Sequence, residues 1–266
     1  MDAQDKPIVI ELIDVVKRFG SQMVLDRINL QIREGTTTVI VGASGQGKSV
    51  LLKHMLGLIR PSEGRVQVFG KDLAHLGISD LRQVRTAFGV LFQNVALFDS
   101  MSVFDNVALP LRERTRLTEE EIRKVVHEKL ELMDLHNIDE KFPAQISGGM
   151  QKRVGLARAL VLNPKVIFFD EPTTGLDVSK SKEIYRLLHR TQKQLNYTAV
   201  IVSHDVPKIL KLSDYVALIA DNSIQDCLTP EDFQLSTNHY IRSFVESTMG
   251  PIYSSVSEET GFYEKT

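Results

Sequence analysis

Gly42-Ala43-Ser44-Gly45-Gln46-Gly47-Lys48-Ser49 is the stretch that decides how this chain folds. It fills the spacing G-x-x-x-x-G-K-[ST] of a phosphate-binding loop. The run Thr37-Thr38-Val39-Ile40-Val41 leads into it with strand character, and Val50-Leu51-Leu52-Lys53-His54-Met55-Leu56 leads out with helix character. That order suits an anion. Glycines let the backbone curl until successive N–H groups converge, and the start of a helix adds its partial positive charge. Lys48 would reach the β- and γ-phosphates of a nucleotide, and Ser49 would offer its hydroxyl to Mg²⁺. Gly42, Ser44, Gly45, Gln46, Gly47, Lys48, Ser49 and Val50 are therefore candidate nucleotide-binding residues.

Outward from this loop, the composition bounds the possibilities. At 266 residues the chain is long enough for a large α/β domain, and 42% hydrophobic with 25% charged residues is ordinary for a globular protein. A formal net charge of −2 argues against a broad nucleic-acid footprint, so no nucleic-acid partner is expected. The one cysteine, Cys227, excludes an internal disulfide and a zinc ribbon, and reads as a half-buried thiol. No apolar run approaches the ~18 residues of a membrane span. Met1-Asp2-Ala3-Gln4-Asp5 lacks a signal-peptide pattern. The expectation is a cytosolic chain that reaches a membrane only by docking on something already there.

The chain alternates strands and helices. Ile8 to Ile13 alternate at strand period, as do Leu25, Ile28, Leu30 and Ile32, and a turn at Pro61-Ser62-Glu63-Gly64 precedes the strand Arg65–Phe69. Phe88–Phe92 reads as a buried strand. The middle third is helical: Thr118-Glu119-Glu120-Glu121 is a capping box, and Met150–Leu162 is a helix stopped by Asn163-Pro164. Val166–Phe169 and Ala199–Val202 are strands around a helix at Lys182–Leu195. A short helix follows from Pro207, and Tyr215–Ile219 reads as a last strand. Such alternation predicts a mostly parallel sheet covered on both faces.

Two further motifs carry chemistry. Val166 to Phe169 followed by Asp170-Glu171-Pro172 is a buried strand delivering carboxylates to its C-terminal end, where open α/β sheets bind ligands. Asp170 would hold Mg²⁺, and Glu171 is placed to polarise an attacking water as general base. Ser147-Gly148-Gly149-Met150-Gln151 opens the next helix and presents bare N–H groups to an anion. It equally suits a plain helix cap with flexible glycines; alone, it does not decide between them.

Taken in order, the phosphate loop, Ile146-Ser147-Gly148-Gly149-Met150-Gln151, and Phe169-Asp170-Glu171-Pro172-Thr173-Thr174-Gly175-Leu176-Asp177 resemble the nucleotide-binding subunit of ABC transporters. The resemblance spans residues 8 to about 235. It implies a P-loop NTPase fold of the α/β class, with a mostly parallel core sheet, an N-terminal antiparallel β subdomain and an inserted helical subdomain at about 95–160. It implies ATP with Mg²⁺ and an ATPase activity. It also gives roles to residues that, alone, read as core aromatic, surface amide, loop acid and satisfied histidine. Phe19 resembles the aromatic on which adenine stacks, and Gln93 the glutamine that senses Mg²⁺ and the γ-phosphate. Asp177 resembles the aspartate that crosses a dimer interface, and His204 the switch histidine. Glu171, His204 and Gln93 become the catalytic set, and Ser49, Gln93 and Asp170 the metal set. In this family two subunits pack head to tail, so that Ser147, Gly148, Gly149, Met150 and Gln151 of one cover the ATP on the other.

Leu91 to Glu113, with Ala96-Leu97-Phe98, Val103-Phe104-Asp105-Asn106-Val107-Ala108 and Pro110-Leu111-Arg112-Glu113, looks like the ATPase subunit of the Mla/MCE-type phospholipid transporters. The Ser-Gly-Gly-Met form fits as well; Thr173-Thr174-Gly175-Leu176-Asp177-Val178 is the general ABC form. This implies a homodimer at the cytoplasmic face of the inner membrane. Its partners would be an integral membrane permease, an MCE-domain protein and a small cytosolic regulatory subunit. The alternatives are the ATPase of a small-solute importer and an iron–sulfur-assembly ATPase. Leu97, Phe98, Met101, Val103 and Phe104 follow Gln93 closely and are candidates for the permease-docking surface, with about half of them expected in the core. Residues 236–266 form a C-terminal helix, with Ile241, Phe244 and Val245 on one face, and an extension expected to bridge the dimer.

Overall fold

The computed structural model describes residues 5–204 and 209–249. Two sheets form the frame. The first is antiparallel, in the order β2-β1-β4-β5, with β1 at Ile8–Phe19, β2 at Gln22–Arg33, β4 at Glu63–Val68 and β5 at Lys71–Asp72. The second contains β3 (Thr37–Val41), β6 (Phe88–Leu91), β7 (Val166–Asp170), β8 (Thr198–Val202), β9 (Tyr215–Ala220) and β10 (Ser223–Leu228). Its order is β10-β9-β3-β8-β7-β6. The pairs β3–β9, β3–β8, β7–β8 and β6–β7 are parallel, and β9–β10 is antiparallel.

Period-two patterning explains why the parallel sheet is buried twice. Val39, Val41, Ile167, Phe169 and Ile201 join one core cluster, while Ile40, Val166, Phe168, Val200 and Val202 join the other. Successive side chains of each strand thus enter opposite cores, as a sheet covered on both faces requires. The second cluster also takes Ile10, Leu12, Leu25, Ile28 and Ile32 from the antiparallel sheet, and Leu51, Leu52 and Met55 from α1 (Lys48–Met55). Burial of each such leucine, isoleucine or phenylalanine contributes roughly 1.5–3 kcal/mol.

The other core is built on helices. They are α3 (Val103–Arg114), α4 (Glu119–Leu132), α5 (Gly148–Leu160) and α6 (Val178–Leu195); α2 (Ile78–Thr86) lies outside this group. The capping box forms as read: Glu121 N donates to Thr118 Oγ1 at 3.3 Å, and Thr118 N donates to Glu121 Oε2 at 2.7 Å. Two short C-terminal helices follow, α7 (Pro230–Leu235) and α8 (His239–Met249). On α8, Ile241 and Val245 are buried in the same core and Phe244 packs against it.

The structure corrects several element readings. Tyr215–Ile219 is not the last strand: a turn at Asp221 and Asn222, with φ of 47° and 62°, returns the chain as β10. That strand is only half buried and carries a register shift, so its alternation is weak. α6 begins at Val178, four residues before Lys182, because Asp177 caps it and its first turn is polar. α5 begins at Gly148 rather than Met150. α2 and α3 do not read as separate helices in the sequence, though α3 falls in the helical subdomain expected at about 95–160: α2 buries only Val84, and α3 holds Pro110 in its interior. The helix read from Pro207 and the extension after Pro251 lie outside the described residues.

Candidate functional site

The parallel strands deliver their C-terminal ends to one place. Leu91 of β6 is level with Phe169 of β7, Asp170 is level with Val202 of β8, and Val202 is level with Ile40 of β3. Gln93, Asp170-Glu171, His204 and the loop from Gly42 therefore emerge side by side at the carboxyl edge of the sheet. A cleft of about 390 Å³ there is lined by Val24, Ser44, Gly45, Gly47, Lys48, Ser49, Val50, Gln93, Glu171 and His204.

The loop keeps its shape through its glycines. Gly42, Gly45 and Gly47 have φ of 154°, 82° and 91°, and a Cβ on Gly42 would lie 2.4 Å from the Ile219 carbonyl oxygen. Gly47 caps α1. Lys48, only 8% exposed, folds back so that Nζ donates to Gly42 O at 2.7 Å and Ala43 O at 2.8 Å. An ammonium has three donors, so one is left for an incoming anion. Burial pulls the Lys48 pKa down, and the Glu171 and Asp170 carboxylates push it back up.

Ser49, on the cleft, meets Asp170 at the end of β7, with Ser49 Oγ donating to Asp170 Oδ1 at 3.3 Å. Burial holds the Asp170 carboxyl above its ordinary range, against the pull of the Ser49 hydroxyl, and the Glu171 charge adds to the rise. Glu171 turns sharply, with φ of 52° and its N–H on Val202 O at 2.9 Å. Its Oε2 lies 2.5 Å from His204 Nδ1 and accepts from Thr174 Oγ1 at 3.2 Å. His204 is exposed and Glu171 half-buried. Thr173 Oγ1 and the Tyr185 hydroxyl, 2.9 Å apart, brace the strand end from below.

The remaining candidates lie off the cleft wall. Phe19 ends β1, is 51% exposed, and has Lys17 Nζ 5.0 Å from its ring centroid. Gly42 and Gln46 belong to the loop without lining the cleft. Ser147 caps α5 by accepting from Met150 N at 3.3 Å; Ser147 and Gly148 are exposed, and Gly149, Met150 and Gln151 half-buried. Asp177 caps α6, accepting from Lys180 N at 2.9 Å, and these hydrogen bonds hold its carboxyl below the ordinary range. Gly148 and Gly149 approach Leu176 and Lys180, so the α5 start and the Asp177 loop form one exposed patch.

Sequence reasoning missed Val24, Lys152 and the Thr173–Tyr185 brace. A lysine on a helix reads as a solvated face, and only the fold shows Lys152 buried. Of the docking candidates, Val103 and Phe104 are core, Leu97 and Met101 are half-buried, and Phe98 is 49% exposed, as is Phe92 at 41%. Cys227 is half-buried, its thiol pushed up to about 11 by burial. Among the described residues no helix is long and apolar enough to cross a membrane.

A parallel sheet with a glycine loop, an ammonium, a hydroxyl and two carboxylates at its carboxyl edge defines a P-loop nucleoside triphosphatase. The chain belongs to the ABC transporter family, whose pattern matches residues 25–174, and it hydrolyses ATP as an ABC ATPase. It is 40% identical over 253 residues to the probable ribonucleotide transport ATP-binding protein Mkl of Mycobacterium leprae, covering 95% of this chain and 72% of that protein. It is 39% identical over 245 residues to the intermembrane phospholipid transport system ATP-binding protein MlaF of Haemophilus influenzae, covering 92% of this chain and 93% of that protein. Among solved structures, an ATP-binding cassette captured as a post-hydrolysis dimer with ADP and phosphate superposes with a TM-score of 0.75 at 31% identity, over 83% of this chain and 98% of that one. The fold class read from sequence is the one found.

Proposed function

We propose that this chain is the ATPase of a transporter that moves phospholipid between membranes, working as a homodimer on an integral membrane permease. The observation that carries the dimer is the separation of the two anion-binding helix starts. The α1 start lines the cleft, whereas Ser147 and Gly148 are exposed and line none of it. A second copy, packed head to tail, would bring its Ser147–Gln151 segment onto the nucleotide, with Asp177 beside it. The two-way coverage of MlaF, 92% and 93%, favours phospholipid as cargo. The Mkl name favours a ribonucleotide instead, and 28% of Mkl lies outside the match.

Within the cleft, Gly45, Gly47, Lys48 and the α1 start would hold the phosphates, and Phe19 would stack on adenine. Ser49, Asp170 and Gln93 would hold Mg²⁺; the oxygen donors Ser49 Oγ and Asp170 Oδ1, 3.3 Å apart, suit that hard cation. Held there, it would supply positive charge to offset the negative charge of the phosphates. Glu171 would take a proton from the attacking water, with His204 orienting its carboxylate. Phe92, next to Gln93 in the chain, and Phe98, both exposed, would meet the permease. The partners would include an MCE-domain protein and a small cytosolic regulatory subunit, all at the cytoplasmic face of the inner membrane. The domain boundaries 8–235 and 236–266 belong to the same reading, with the tail after Pro251 bridging the dimer.

The test is reconstitution with the permease in liposomes. ATP-dependent transfer of labelled phospholipid, and ATPase stimulation by phospholipid but not by ribonucleotides, is the expected result. Ribonucleotide uptake without lipid transfer would transfer the assignment to the second reading.

Stacking gives a further expectation. Phe19→Ala should weaken ATP binding about tenfold, the scale of base–aromatic stacking, with turnover at saturating ATP unchanged, because stacking acts equally in ground and transition states. Titration with a fluorescent ATP analogue, alongside steady-state kinetics, checks both. A fall in saturated turnover would remove Phe19 from that role.

A further inference from the structure

Lys152 lies in the second turn of α5 and is 5% exposed. Among the described residues its ammonium has a single hydrogen-bond acceptor, the backbone oxygen of Gln93. A buried ammonium normally needs a compensating partner; here the Gln93 oxygen and the nearby Glu171 carboxylate supply it. Burial pulls its pKa down, and the Glu171 carboxylate pushes it back up. Lys152 is therefore within electrostatic reach of Glu171 while touching the backbone of Gln93.

The same helix grips the loop a second time. Arg158 Nη2 donates to Val95 O at 2.7 Å, and Nη1 to Asn106 Oδ1 at 3.4 Å. Between the two cations sits Gly155, where a Cβ would lie 2.3 Å from Val95 Cγ1 and 2.8 Å from Leu91 Cδ1. The absence of a side chain there lets the α5 backbone seat directly against the loop. The loop conformation itself is costly: Val95 and Ala96 have φ of 58° and 52°. Two cations on its carbonyls and one close backbone approach hold it there.

We propose that Lys152 is a positioning residue for ATP hydrolysis. By holding the Gln93 carbonyl it fixes the Gln93 side chain at the cleft beside Glu171, and so acts on the chemical step rather than on nucleotide affinity. This rests on the reading of Gln93 and Glu171 as the residues that work on the γ-phosphate. It also makes α5, whose N-terminus is the Ser147–Gly149 segment, one rigid piece with the loop that carries Gln93.

The experiment is a double-mutant cycle on the full-length chain, with ATP turnover and ATP affinity measured separately. Lys152→Met should lower kcat about tenfold or more, the size of a lost charged hydrogen bond, with ATP affinity within about twofold of wild type. Lys152→Arg should recover most of the rate, because a cation again reaches the carbonyl. In a Gln93→Ala background, Lys152→Met should add little, since its effect passes through Gln93. Equal losses in both backgrounds, or weakened binding at unchanged kcat, would overturn the proposal. If Lys152→Met does not fold, Lys152→Leu, which also lacks a side-chain donor, carries the same cycle. Glu171→Gln is the control. If it turns over normally, the reading of the cleft fails; if it is inactive while Lys152→Met keeps wild-type kcat, only the role of Lys152 fails.

Discussion

Replacing Glu171 by glutamine should cut ATP turnover at least ~100-fold, the lower scale of general-base effects, while leaving ATP binding intact. The amide matches the carboxylate in shape, and its oxygen can still accept from Thr174 Oγ1 and His204 Nδ1, which the carboxylate meets at 3.2 Å and 2.5 Å. It cannot take a proton from water. The groups placed to bind phosphate, the glycine loop, Lys48 and Ser49, are untouched, and one negative charge near the γ-phosphate is removed. Affinity should therefore hold or rise, and the variant should collect as an ATP-bound dimer on size-exclusion chromatography. Phosphate release kinetics and a fluorescent-analogue titration read the two halves. Near-normal turnover in the reconstituted transporter would remove Glu171 from the role of base.

How much of this was legible in the sequence follows from how local each signal is. The phosphate loop joins a strand end to a helix start across eight residues, and most residue types there answer a local demand for a positive φ, a bare N–H or a cation. The capping box at Thr118 and Glu121 is equally local, and the face formed by Ile241 and Val245 follows from helical period alone. What stayed hidden depends on the rest of the fold. α2 exposes most of its surface, so it has little apolar stripe to read. Pro110 inside α3 reads as a break, yet the helix persists because Val103, Phe104, Val107 and Leu111 pack into the core around it. Lys152 and Arg158 were invisible as loop anchors because their acceptors are carbonyls 59 and 63 residues away in sequence. Nothing in the residue pattern says that the backbone of Gln93 needs a cation; the pairing exists only once β6 and α5 pack together.

Lys48→Ala should abolish useful ATP binding as well as turnover, and the reason lies in the two roles its ammonium combines. It closes the loop on itself through Gly42 O and Ala43 O, at 2.7 Å and 2.8 Å, and it is the side-chain cation that lines the cleft. Truncation leaves those carbonyls without their donor and removes one of the positive charges near Asp170 and Glu171, with Lys53 and Lys152 remaining. A charge-assisted hydrogen bond contributes about 1.5–3 kcal/mol. Loss of contact to two phosphates should then weaken ATP binding roughly 100-fold or more. Thermal unfolding separates this from misfolding. Ligand at about 100 times its Kd stabilises a protein by about 2.7 kcal/mol, so the wild-type chain should show a clear ATP-induced rise in Tm. Lys48→Ala should melt near the nucleotide-free wild type and show no such rise. An ATP-induced shift equal to that of wild type would mean that the phosphates are held by the backbone alone, and Lys48 would then be a brace of the loop rather than a ligand of the nucleotide.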